Sequence, residues 1–206
     1  MPERISLTEE LYIAKGAHKA AYVDPRDERR CVKILFQPDD IDLQRELSYR
    51  RVLRRRGREL SMLPVYYGTV ETNLGTGYVF ERVLDYAGQP CPTLEDVFRA
   101  AALEPQGERV RIVLECFRRQ FLQENVITTN MEAVNFMVQR LGPGEEELSI
   151  RVIDNIGTRV LIPIVCYVDY VAHRHALQYW QRFLRESRER FPEVLTDGLF
   201  RSLQAD

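Results

Sequence analysis

The feature that most constrains this chain is a change of hydrophobic period close to residue 82. Before it, apolar residues mostly alternate with polar ones, as half-buried strands require. After it they recur every three or four positions, as helices require. Leu11-Tyr12-Ile13-Ala14 and Ala20-Ala21-Tyr22-Val23 read as strands on either side of Lys15-Gly16-Ala17-His18. A third strand follows the Asp24-Pro25-Arg26-Asp27 turn at Arg30-Cys31-Val32-Lys33-Ile34-Leu35. Val65–Val70 and Thr76–Glu81 read as a hairpin of aromatic and β-branched strands. The spacing predicts one helix in this half, over 42–57, with Leu43, Leu47, Arg50 and Arg54 along one side and Gly57 at its end.

The second half opens on Thr93, an N-cap for a helix over 94–101, with Asp96 at the third helical position giving a capping-box-like charge. A longer helix over 107–125 carries Val110, Val113, Leu114, Phe117, Phe121 and Leu122 on one face. Two strands, 133–140 and 148–154, flank Gly142-Pro143-Gly144 and the acidic tip Glu145-Glu146-Glu147. A last helix over 167–190 places Val168, Val171, Ala172, His175, Tyr179, Trp180 and Phe183 at helical spacing. The plan is a single α+β domain of two lobes: a small β-rich N-lobe (about 1–82), a connector (about 83–92) and a short, mainly helical C-lobe (about 93–206).

Composition narrows the function classes. A formal net charge of −2 gives no general attraction to nucleic acid or an anionic membrane. The basic run Arg50, Arg51, Arg54, Arg55, Arg56 and Arg58 reads first as a solvated helix face, and no aromatic platforms interleave with it. No apolar stretch approaches bilayer length, and Met1-Pro2-Glu3-Arg4 lacks the apolar core of a secretory signal. Cys31, Cys91, Cys116 and Cys166 are scattered without Cys-x-x-Cys spacing, as expected of reduced, buried thiols in a cytoplasmic protein. His173 and His175, two apart on a helix, point to different faces and make no metal pair.

Several runs carry a family resemblance: Lys15–Tyr22, Arg30–Ile34, Arg45-Glu46-Leu47, Tyr66–Val79 and Asp154-Asn155-Ile156-Gly157. Together they resemble the YrbL family, described as PhoP regulatory network proteins of bacteria, and more broadly the protein-kinase-like superfamily. The resemblance covers most of residues 10–165, with Gly68–Val79 and Asp154–Gly157 its most specific stretches.

That resemblance implies a protein-kinase-like bilobal fold that holds ATP and Mg²⁺ between its lobes. Lys33, mid-strand among apolar neighbours, would meet phosphate and pair with Glu46, because a buried ammonium needs a partner. The alternative is that Lys33 faces solvent from an edge strand and Glu46 is a surface residue. The single-glycine turn with Gly16 and His18 would cover the phosphates; His18 either contacts phosphate or caps the turn. Asn135 and Asp154 would supply the hard oxygens that Mg²⁺ prefers. Otherwise Asp154 satisfies its own turn and Asn135 simply starts a strand.

The chain departs from the kinase pattern at Asn130, five residues before Asn135, where a kinase carries its catalytic Asp. Thr128-Thr129 stands in place of the His-Arg lead-in. An amide cannot accept the substrate hydroxyl's proton, and Glu132 could replace it only if the loop is remodelled. The expectation is an ATP/Mg²⁺-binding protein whose phosphotransfer is weak, atypical or absent. The alternative is a non-catalytic regulatory (pseudokinase) module acting through a protein partner; a small-molecule substrate is the other possible ligand class.

Overall fold

A computed structural model gives the structure of the protein and describes residues 4–37, 41–104, 107–158 and 164–204. It is an α+β protein with a six-stranded sheet and several helices. The sheet strands are β1 (Arg4–Ile5), β2 (Tyr12–Lys15), β3 (Lys19–Asp24), β4 (Asp27–Leu35), β5 (Tyr66–Thr72) and β6 (Gly75–Glu81). Their spatial order is β1-β5-β6-β4-β3-β2, antiparallel throughout except that β1 runs parallel to β5. The expected strands are all present, and β1 is an addition that its two-residue length hides from any periodicity test.

Strand parity divides the sheet into two faces. On one, Val32, Ile34, Val70 and Val79 form a cluster roofed by Ile5 and Leu7. A β-carbon on Gly77 would lie 2.4 Å from Val32 Cγ1, so only glycine lets this cluster close over β6. On the other face Cys31 and Phe80 pack with Leu43 of helix α1 (Ile41–Arg55). The buried stripe of α1 is Leu43, Glu46, Tyr49 and Leu53, which corrects the expected Leu43/Leu47/Arg50/Arg54 side: Arg54 is exposed and Leu47 only half-buried. Tyr49 and Leu53 belong to the large core of the second half, so α1 packs against both parts. Gly57 (φ +62°) then ends the helix, with the Arg58 N–H donating to Leu53 O at 3.0 Å.

The second half contains α2 (Leu94–Leu103), α3 (Gly107–Glu124), the hairpin β7 (Phe136–Arg140) and β8 (Leu148–Val152), α4 (Asp169–Arg190) and α5 (Asp197–Gln204). The Thr93–Asp96 capping box forms as expected, with the Asp96 N–H donating to Thr93 Oγ1 and the Thr93 N–H to Asp96 Oδ2. Phe117 of α3 sits at the core's centre, its ring 4.5 Å from Phe136 and 5.4 Å from Trp180, centroid to centroid.

Three expectations need correction here. Ala133–Asn135 is a 3₁₀ turn, closed by the Asn135 N–H on Glu132 O, so the strand begins only at Phe136. The second strand stops at Val152, two residues short of Asp154. On α4 the buried positions are Ala172, Ala176, Trp180, Phe183, Leu184 and Ser187, while Val168 and Val171 are exposed. Helix α5 has no counterpart in the sequence reading; it docks through Phe200 and Leu203, whose carbonyl accepts the Trp180 indole N–H at 3.2 Å. All four cysteines are free and buried. No helix among the described residues is long and apolar enough to cross a membrane.

Candidate functional site

Of the residues singled out by sequence, Lys33, Asn135 and Asp154 converge where β3 and β4 face the ends of the β7–β8 hairpin. In the β3–β4 register Ala21 lies opposite Lys33 and Lys19 opposite Leu35. Side chains two apart share a face, so Lys19 and Lys33 project from the same side of the sheet. Lys33 Nζ donates to Ile153 O at 2.8 Å and lies 4.4 Å from the centre of the Phe80 ring. Lys19 Nζ meets Asp154 Oδ1 at 2.6 Å, with the two side chains 18% and 30% exposed. Each lysine thus ties a sheet strand to the segment just after β8.

Asp154 opens a turn built by backbone chemistry. Its Oδ1 accepts the Asn155 N–H at 2.7 Å, Asn155 takes a left-handed φ of +58° and Gly157 a φ of +103°. The turn is stitched to the 127–129 segment: Asn155 O accepts from Thr129 N (2.8 Å) and Thr128 Oγ1 (2.7 Å), and Gly157 N donates to Ile127 O (2.9 Å). A β-carbon at Gly157 would stand 3.0 Å from Arg45 O, so the turn and α1 touch backbone to backbone. Burial on its own would raise the Asp154 carboxyl. The Lys19 and Lys33 charges, the Lys19 hydrogen bond and the Asn155 N–H outweigh it and hold the group below the usual carboxylate range.

Asn135 lies beside this turn, its carbonyl accepting the Ile153 N–H at 2.9 Å. It is 7% exposed, and among the described residues its buried Nδ2 has no partner. An unmet buried donor costs about 1–3 kcal/mol, which a ligand acceptor would recover. Asn130 Nδ2 donates to Glu132 Oε1 at 2.6 Å, so this amide holds the exposed carboxylate two residues on.

Glu46 has a different partner from the one expected. It is buried and takes both Arg50 Nε (2.9 Å) and Arg50 Nη2 (2.7 Å) on Oε1, while Lys33 turns to the Ile153 carbonyl. Arg50 lies one helical turn from Glu46 and stacks toward Phe80 at 5.5 Å, so the i,i+4 pair forms inside α1 itself. Gly16 and His18 sit in the exposed β2–β3 turn, which closes through Gly16 N on Lys19 O at 2.9 Å. Neither side chain position has a described contact with Asp154 or Lys33.

Sequence reasoning missed Lys19, and it placed Thr128 in the lead-in to Asn130 without its bond to the Asn155 carbonyl. Lys19 shares strand parity with Ala21, but only the register shows that this face also carries Lys33. The arginine cluster also resolves into parts: Arg56 and Arg58 both reach Asp169, at 2.9 and 3.1 Å, leaving Arg51, Arg54 and Arg55 exposed on α1. His173 meets Asn125 at 2.9 Å and His175 stacks on Tyr179. A separate cavity of about 530 Å³, lined by Val110, Val194 and Leu199 among others, contains none of the site residues.

The fold and site together define an α+β protein in which two lysines of a sheet face meet a carboxylate turn beside a helical core. The chain belongs to the YrbL family: the family model for PhoP regulatory network protein YrbL matches residues 5–188. It is 32% identical over 185 residues to proteins named "Uncharacterized protein YrbL" of Escherichia coli K12 and of Shigella flexneri, covering 88% of this chain and 87% of each of theirs.

Proposed function

We propose that this protein is a kinase-like nucleotide-binding protein of bilobal plan. Its N-lobe (about 1–82) and C-lobe (about 93–206) would form one domain joined by the 83–92 connector, with ATP and Mg²⁺ between them. The observation that carries the reading is Lys33. Among the described residues Asp154 forms its ion pair with Lys19, and Lys33 forms none; its half-buried ammonium is spent on a neutral carbonyl. A partly desolvated charge without a counter-ion favours an anionic ligand.

The other residues fit such a ligand. Asn135 and Asp154 carry oxygen donors on neighbouring segments, joined by the Ile153 N–H on Asn135 O, and Mg²⁺ is normally held by one or two such groups together with substrate phosphates. Among the described residues no cluster of three or more His, Cys, Asp or Glu could hold a metal, so a divalent ion here would depend on the ligand's own oxygens. When bound, it would supply charge neutralisation at the phosphates. Lys33 would position phosphate, while Glu46 fixes Arg50 and through it the Phe80 face beside Lys33. Gly16 and His18 would lie over the phosphates from the β2–β3 turn. Phosphotransfer, if the protein performs it, falls to Glu132 as the base, oriented by Asn130.

A second reading is favoured by Asn130. With an amide in the base position, a non-catalytic pseudokinase module acting on a protein partner in the cytoplasm accounts for the same site without chemistry. Thermal unfolding with ATP and Mg²⁺ tests binding. Wild type should gain stability, Lys33→Ala should lose most of the gain, and Asp154→Ala should lose the Mg²⁺-dependent part. No stabilisation of wild type would end the nucleotide reading. Labelled ATP then separates the two readings. If Glu132 is the base, Glu132→Gln should cut transfer by about 10²–10⁴; no transfer by wild type to itself or to lysate favours the module.

A further inference from the structure

Asp154 already carries a cation. Lys19 Nζ sits on its Oδ1 at 2.6 Å, and the hydrogen bond of Gly16 N to Lys19 O fixes the backbone from which that side chain projects. The local charges are two lysines against one carboxylate, a net +1, since Glu46 and Arg50 cancel each other alongside. A divalent ion entering on Oδ1 has to displace an ammonium that is largely withdrawn from water, and then sits close to two like charges. The group left unmet at Asn135 is also a donor, Nδ2, which suits a phosphate oxygen and not a metal ion.

We propose that Lys19 is a built-in counter-cation of the site, so that nucleotide phosphates bind to Lys33, Lys19 and Asn135 without an obligatory divalent metal. This rests on the nucleotide reading above and assigns it a specificity-determining residue outside the set the sequence points to. Lys19 matches Asp154 while the site is empty and turns its ammonium toward the phosphates when they arrive. Mg²⁺, where it binds, competes with Lys19 for Asp154.

The test is titration of the full-length chain with ATP, in EDTA and in Mg²⁺, for wild type, Lys19→Met, Lys19→Arg and Asp154→Asn. Wild type should bind in EDTA within about threefold of its affinity in Mg²⁺. Lys19→Met should lose about tenfold or more in EDTA and recover part of it with Mg²⁺, whereas Lys19→Arg should keep metal-free binding. Asp154→Asn frees Lys19, so its metal-free binding should match or exceed that of wild type, and this arm stands even if Lys19→Met fails to fold. Wild-type binding that requires Mg²⁺, or Asp154→Asn binding in EDTA more weakly than wild type, overturns the role of Lys19 while leaving the nucleotide reading intact. No binding of ATP by wild type under either condition overturns the nucleotide reading itself, and the inference with it.

Discussion

At Asp24 a fully buried carboxylate accepts Arg26 Nε and Nη2, at 2.9 and 2.7 Å, together with the Arg26 N–H at 3.0 Å. Burial raises its pKa, but the hydrogen bonds and charge of Arg26 outweigh that, and the group is held low. Its stabilising share is therefore complete above the unfolded-state pKa of about 3.9 and disappears as pH falls through the lower folded-state value. Asp24→Asn should cost about 1–3 kcal/mol in urea denaturation at pH 7. The difference from wild type should shrink steadily as the acid titration proceeds; a pH-independent difference would show that packing, not charge, is what the substitution removes. The same distinction between a satisfied and an unsatisfied group separates Asp24 from Asn135. The first has its partners within the β3–β4 turn, and the second has a donor with none among the described residues.

Helix α1 is the element on which the site depends. Its Leu43 packs with Cys31 and Phe80 on one face of the sheet, its Tyr49 and Leu53 belong to the helical core, and its backbone at Arg45 touches Gly157. Gly157→Ala combines a left-handed backbone with a close approach to Arg45 O. It should destabilise by about 1–3 kcal/mol, measured by chemical denaturation. The internal Glu46–Arg50 pair makes a sharper contrast. Arg50→Ala leaves the buried Glu46 without its partner and should cost about 3–5 kcal/mol. Arg51→Ala on the exposed side of the same helix should stay within about 0.5 kcal/mol of wild type. Equal effects at the two positions would mean that Glu46 finds another cation.

Across the whole molecule, the six-stranded sheet and the helical core are bridged by α1, by the Lys19 and Lys33 contacts after β8, and by Arg151, which spans from β8 to Glu81 at 2.5 Å. Such bridging predicts one cooperative unit. Ile34→Ala, in the cluster on the sheet face away from α1, should cost about 2–5 kcal/mol. It should also lower the unfolding midpoint seen by the single tryptophan, Trp180 of the helical core, as much as the midpoint seen by far-ultraviolet circular dichroism. Separated midpoints would mean that the two parts unfold independently. Most of the elements were legible in the sequence because period and caps are local: Thr93 with Asp96, Gly57 after α1, and the apolar face of α3 each follow from residues within a turn or two. The sequence by itself also singled out the candidate groups, since Lys33, Asn130, Asn135 and Asp154 stand out by type and context. What only the tertiary structure decided is their pairing. Glu46 faces Arg50 and not Lys33, Lys19 meets Asp154, and the fifth helix docks on Trp180. Those choices depend on strand register and on how α1 lies against the 154–157 turn. Both are fixed by packing between residues far apart in the chain, where one ion pair competes with another over a few ångströms and no local pattern records the winner.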